Sequence, residues 1–107
     1  MSVNAPSVRQ RYHPRVPADL PIRVLINGRA IPAKASEVSM AGLYLSGDPT
    51  LGRNRLTLAL PFPKDRIVVA ECRVTRRDEE GVAVEFDQLD WDDLIVLARF
   101  LHPRLPD

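Results

Sequence analysis

The apolar residues of this chain fall at every second position over much of its length. Leu20, Ile22, Val24 and Ile26 share one side with Arg23 opposite, the period-two signature of a strand buried on one face. Asn27-Gly28 follows. Both residues tolerate positive φ, so the pair predicts a type I′ hairpin with the chain returning from Arg29 to about Val38. Pro32 in the return strand lacks an N–H, which suits an edge or a bulge. Leu43 and Leu45, with Tyr44 opposite, mark a short third strand that ends at Gly47-Asp48-Pro49. Leu56, Leu58 and Leu60 then alternate with Thr57 and Ala59 as far as Pro61 and Pro63. Val68, Ala70, Cys72 and Val74 alternate with Val69, Glu71, Arg73 and Thr75. Asp78-Glu79-Glu80-Gly81 reads as a solvated turn with no further role, and Val82, Val84 and Phe86 as the inward face of a last strand. Six strands at about ten-residue spacing predict a small antiparallel barrel or sandwich.

The period then changes. Trp91, Leu94, Ile95, Ala98 and Leu101 fall three and four apart, predicting one terminal helix. Asp90 suits the N-cap, Asp92 and Asp93 complement the positive end of the helix dipole, and Arg99 and His102 sit at the other end before Pro103. The apolar stripe is expected to cover one side or end of the barrel, with Trp91 supplying much of the buried area.

Composition narrows the class. A chain of 107 residues, 45% apolar and 27% charged, is the size of one domain. We divide it into a lead-in at residues 1–8, a domain at 9–102 and a tail at 103–107. Fifteen basic against fourteen acidic side chains leave a net charge of +1, which argues against a broad nucleic-acid-binding face. Cys72 is the lone cysteine, in an apolar run, and reads as a buried inert thiol. No stretch is apolar enough for a membrane span or a signal core, so a cytoplasmic protein is expected. His13 and His102 lie at opposite ends of the chain without metal-ligand spacing, and Ser39 has no local base, so neither catalysis nor a cofactor is expected.

Two motifs carry candidate chemistry. In Arg11-Tyr12-His13-Pro14-Arg15, Pro14 keeps the preceding residue extended, so Arg11 and Arg15 point the same way roughly 13 Å apart. Guanidinium forks pair bidentately with phosphate or with the O6 and N7 edge of guanine, and their planes stack on purines. An isolated pair of this kind is also simply a solvated basic arm. In Glu37-Val38-Ser39-Met40-Ala41-Gly42 the carboxylate can accept from a guanine N1 and N2 edge. Ser39 can offer its hydroxyl or order a turn, and Gly42 permits close backbone approach or positive φ.

Together, in this order and separated by one hairpin, the motifs resemble the paired ligand motifs of the PilZ domain, the bacterial receptor module for cyclic di-GMP. Glu37 stands where that family has Asp or Asn. The run from Gly81 to Phe86 and the closing helix resemble the family's last strand and helix, so the likeness spans about residues 9–101 and implies a six-stranded antiparallel β-barrel with one C-terminal helix. It further implies that Arg11 and Arg15 hold guanine and phosphate from an N-terminal arm. On the same resemblance Glu37, Ser39 and Gly42 would form the barrel half of the site, with Arg9, Gln10 and His13 as possible additional contacts. The resemblance also implies that the arm closes on the barrel when cyclic di-GMP binds and that a downstream protein would read the change in motility or biofilm regulation. Monomer and homodimer stay open. The competing reading is a degenerate PilZ-like domain that binds no nucleotide and serves as a protein adaptor. An oligonucleotide-binding barrel is disfavoured, because only six aromatic residues are present and Trp91, Phe86 and Phe62 are expected to be structural.

Overall fold

The computed structural model describes residues 14–104. Its strands are β1 (Val16–Ile26), β2 (Arg29–Val38), β3 (Gly42–Ser46), β4 (Arg55–Phe62), β5 (Arg66–Arg77) and β6 (Gly81–Gln88), followed by the helix α1 (Trp91–Leu101). The strands close into a barrel in the order β1-β2-β3-β6-β5-β4, all neighbours antiparallel. Closure decides between the two architectures that the alternation left open, and excludes the sandwich. It rests on a short seam, in which Arg23, Val24 and Leu25 of β1 pair with Ala59, Leu58 and Thr57 of β4.

The β1–β2 hairpin forms at Asn27 and Gly28, with φ of 51° and 77°, and Ile26 pairs with Arg29 across the two-residue loop as a type I′ turn requires. β1 begins at Val16 rather than Leu20. Its register shifts between Pro17 and Leu20, and although burial still alternates through Val16, Ala18 and Leu20, Pro17 and Asp19 are poor strand formers that mask the start of the strand in the sequence. Pro32 pairs with Arg23 on one side, while β2 meets β3 only from Ala35 onward, so the missing N–H falls where β2 has no second neighbour.

Alternate residues fill the barrel: Ile22, Val24 and Ile26 from β1, Leu43 and Leu45 from β3, Leu56, Leu58 and Leu60 from β4, Val68, Ala70 and Cys72 from β5, Val82 and Val84 from β6. Burial pushes the Cys72 thiol up to about 12, reinforced by Asp87 and Glu71, so the thiol stays protonated.

The helix corrects the expected packing. Trp91 is 75% exposed and Ile95 37%, whereas Leu97 and Leu101 are buried and Phe100 meets Phe62 with ring centroids 5.1 Å apart. Residues 94–98 are all apolar, so two overlapping stripes satisfy the helical period. The aromatic ring at the end of β4 selects the stripe containing Phe100, which turns Trp91 to solvent. Asp90 has extended N-cap geometry and its carbonyl accepts from Leu94 at 3.0 Å, but its side chain makes no cap hydrogen bond. The α-helix stops at Leu101, and a 3₁₀ turn carries the chain from His102 to Arg104.

Candidate functional site

The turn between β2 and β3 is tied by one hydroxyl. Ser39 is buried, and its Oγ accepts the N–H groups of Ala41 at 3.0 Å and Gly42 at 3.1 Å while donating to the Gly42 carbonyl at 3.3 Å. The Ser39 N–H donates to the same carbonyl at 2.9 Å. These bonds are the local competition by which serine favours turns over continued strand. Every one of them stays inside the turn, so Ser39 shapes the surface through the backbone it holds.

Gly42 has a different task. A Cβ there would lie 2.0 Å from the Val84 carbonyl oxygen and 2.9 Å from the Glu85 Cα, so β3 can approach β6 only if this residue has no side chain. Of the two reasons for glycine read from the motif, close approach holds, and the partner is the neighbouring strand.

From this turn the outward residues form a continuous row across the barrel. Glu37 pairs with Tyr44, Tyr44 with Ala83, and Ala83 with Arg76, crossing β2, β3, β6 and β5. A basin of about 740 Å³ lies over the row, lined by Arg15, Glu37, residues 39–42, Tyr44, Arg76, Glu85, Phe86 and the start of α1 at Leu94 among others. Arg15, immediately before β1, reaches in from the N-terminal side, and its Nη1 stands 3.5 Å from the Glu37 carboxylate.

The structure therefore gathers Arg15, Glu37, Ser39 and Gly42 around one concavity. Arg9, Gln10, Arg11 and His13 lie outside the described residues. Residues that the motifs did not name complete the opposite wall. The Tyr44 hydroxyl donates to Asp78, which also accepts the backbone N–H groups of Glu80 and Gly81, each at 2.9 Å. The supposedly idle acidic turn thus anchors the central ring. This hydrogen bond is the main cause that raises the Tyr44 phenol to about 12 and, reciprocally, lowers the Asp78 carboxyl. The Arg76 guanidinium lies 5.8 Å from the Tyr44 ring centroid and 3.5 Å from Asp78.

Each carboxylate that lines the basin is matched by an arginine. Glu37 faces Arg15, Glu85 faces Arg73 at 3.0 Å, and Asp87 faces Arg55 at 2.7 Å and Arg73 at 3.3 Å. An anionic ligand thus meets no unmatched negative charge in the lining. Among the described residues no group of His, Cys, Asp and Glu is placed to hold a metal ion, and no helix is long and apolar enough to cross a membrane.

Comparison with known proteins agrees with this geometry. The PilZ domain profile matches residues 9–102. Among solved structures, the Bacillus subtilis inhibitor of motility MotI/DgrA superposes with a TM-score of 0.69 at 18% identity, covering 88% of this chain and 50% of that one, so the chain spans half the length of that neighbour. The PilZ domain of CeSA from a cellulose-synthesizing bacterium superposes with a TM-score of 0.63 at 13% identity, covering 84% of this chain and 96% of that one. Both likenesses establish the fold. The curated proteins gave no match. With the profile spanning nearly the whole chain and the closed barrel in place beneath it, the chain belongs to the PilZ domain family.

Proposed function

We propose that the chain is a cyclic di-GMP receptor and that the nucleotide occupies the basin between Arg15 and the turn at residues 39–42. The observation that carries this reading is convergence. Arg15 from the arginine motif and Glu37, Ser39 and Gly42 from the second motif line a single concavity, although more than twenty residues separate them in sequence. PilZ domains are typically non-catalytic binding modules, and a basin lined by arginines and carboxylates suits that role. Arg15 supplies a bidentate fork for phosphate or a guanine edge, the Glu37 carboxylate accepts from guanine N1 and N2, and Arg11 enters from the arm. Arm closure then gives a downstream protein a changed surface to read. A motility inhibitor and a domain from a cellulose-synthesizing organism among the structural neighbours support an output in motility or biofilm control.

One observation favours the adaptor reading. Glu37 and Arg15 already face each other at 3.5 Å, so a nucleotide must separate two of its own ligands. At 42% and 60% side-chain exposure the pair is solvent-screened and worth at most about 1 kcal/mol, which lowers affinity without closing the site. Calorimetric titration with cyclic di-GMP, beside cyclic di-AMP and GTP, separates the readings. Saturable heat with cyclic di-GMP alone is the expected result, and a folded protein that shows no binding at high ligand concentration leaves the adaptor.

A further inference from the structure

The wall of the basin facing Arg15 is built by a device that neither motif describes. The pairing of β5 with β6 slips between Val74 and Arg76, so Thr75 is an extra residue, a β-bulge. The Thr75 hydroxyl donates to the Ala83 carbonyl at 3.2 Å. A bulge changes the direction of the side chain that follows it. Here it places Arg76 opposite Ala83, at the far end of the row that starts at Glu37, and over the Tyr44 ring. Three interstrand spacings separate the two ends, about 14 Å from backbone to backbone. Ala83, between Tyr44 and Arg76, is too small to fill the interval.

Arg76 is held in place yet open to solvent. The Tyr44 ring centroid lies 5.8 Å from its guanidinium carbon, and Asp78 pairs with it at 3.5 Å while also receiving the Tyr44 hydroxyl. The side chain is nevertheless 55% exposed. A half-exposed guanidinium held beside an aromatic ring on the border of a basin has the attributes of a stacking shelf, since its planar group can take a purine. Phosphate capture alone would require neither the ring beneath nor the bulge that sets the plane over it.

We infer that Arg76, laid on Tyr44 by the Thr75 bulge, is a purine-stacking residue that carries one base of a nucleotide whose remainder is held by Arg15 and the turn at residues 39–42. The inference rests on the receptor reading and deepens it. Cyclic di-GMP has two guanines on one phosphate ring, so a stacking contact about a ligand's width from the first grip distinguishes a cyclic dinucleotide from a mononucleotide.

The test is calorimetric titration of the full chain with cyclic di-GMP for wild type, Arg76→Ala and Arg76→Lys, beside thermal melts of the unliganded proteins. Base stacking on a side chain is worth enough that Arg76→Ala weakens binding about tenfold. Arg76→Lys keeps the charge and the reach to Asp78 but loses the plane, and should stay nearly as weak. Binding by Arg76→Ala within twofold of wild type overturns the inference and leaves the receptor reading intact. Wild-type affinity in Arg76→Lys also overturns it, because charge alone then suffices. If Arg76→Ala does not fold, Arg76→Lys decides alone. No binding by wild type sinks the receptor reading itself, and this inference with it.

Discussion

Arg77 and Arg15 show how the same side chain serves two purposes in one barrel. Arg77 pins the loop at residues 47–54. Its guanidinium donates to the Arg53 carbonyl at 2.6 Å, to the Thr50 hydroxyl at 3.2 Å and to Asn54 at 3.2 Å, and its Nε lies 3.4 Å from Asp48. Asp48 in turn accepts both the hydroxyl and the N–H of the fully buried Thr50, and its carboxyl is lowered chiefly by that hydroxyl. Among the described residues Arg15 has one ion-pair partner, Glu37 at 3.5 Å. An arginine whose donors are saturated by a loop is a staple, whereas one with a single long contact on a concave surface keeps its fork for something that arrives later. Arg76 lies between these extremes, paired with Asp78 and set over the Tyr44 ring yet 55% exposed.

The sharpest way to break this contrast is at the residue that looks like part of the site and is structural. Gly42→Ala places a methyl carbon 2.0 Å from the Val84 carbonyl, and the β3–β6 pair must move to admit it. The expected loss is about 3 kcal/mol or more, read as a fall in the urea midpoint before any ligand is added. An unchanged midpoint with lost nucleotide binding would assign Gly42 to the ligand instead.

Removing the staple comes next. Arg77→Ala leaves the Arg53 carbonyl and the buried Thr50 hydroxyl short of a donor, costing about 2 kcal/mol, or about 10 °C in Tm. Cyclic di-GMP affinity at a temperature where the variant is folded should match wild type, since this loop does not line the basin. A large affinity loss would mean that the loop and the basin are coupled.

Arg15→Ala should invert that pattern. An exposed ion pair contributes little, so the unliganded stability should stay within about 1 kcal/mol of wild type while affinity falls at least about tenfold. Arg9→Ala, outside the four-residue spacing, should lose less. Equal losses for the two would indicate general electrostatic attraction instead of a shaped grip.

These contrasts also show what the chain discloses before it folds. The strands from Leu20 onward are legible because one face of each is apolar, and the Asn27-Gly28 turn because few other dipeptides accept its φ values. Barrel closure is not, since the β1–β4 seam joins residues some thirty-four positions apart and leaves no local trace. The helix face is misread because residues 94–98 offer two stripes and only the Phe62 ring chooses between them. Half of the site is visible as a spacing of functional residues that resembles a family. The other half, Tyr44, Asp78 and Arg76, depends on a bulge and on contacts between strands far apart in sequence. In the sequence it is only an outward tyrosine and an acidic turn.

The smallest expected effect tests that hidden half directly. Tyr44 donates to Asp78, and neutral phenol is the form that this bond requires, so folding raises its pKa from 10 to about 12. A group whose folded value is raised contributes stability that is complete below its unfolded pKa and is lost as pH climbs through the folded value, so this contribution fades between about pH 10 and 12. Asp78 has the opposite sign. Its folded pKa is lowered, so its contribution is present above the unfolded carboxylate range and disappears as acid protonates the folded group. Absorbance at the phenolate band during alkaline titration should therefore show one tyrosine ionising near 12, and Tyr44→Phe should abolish that phase alone. In Asp78→Asn the Tyr44 transition should fall toward the ordinary value. If it stays high, solvent exclusion rather than the hydrogen bond governs the ring, and the support beneath Arg76 is a matter of packing.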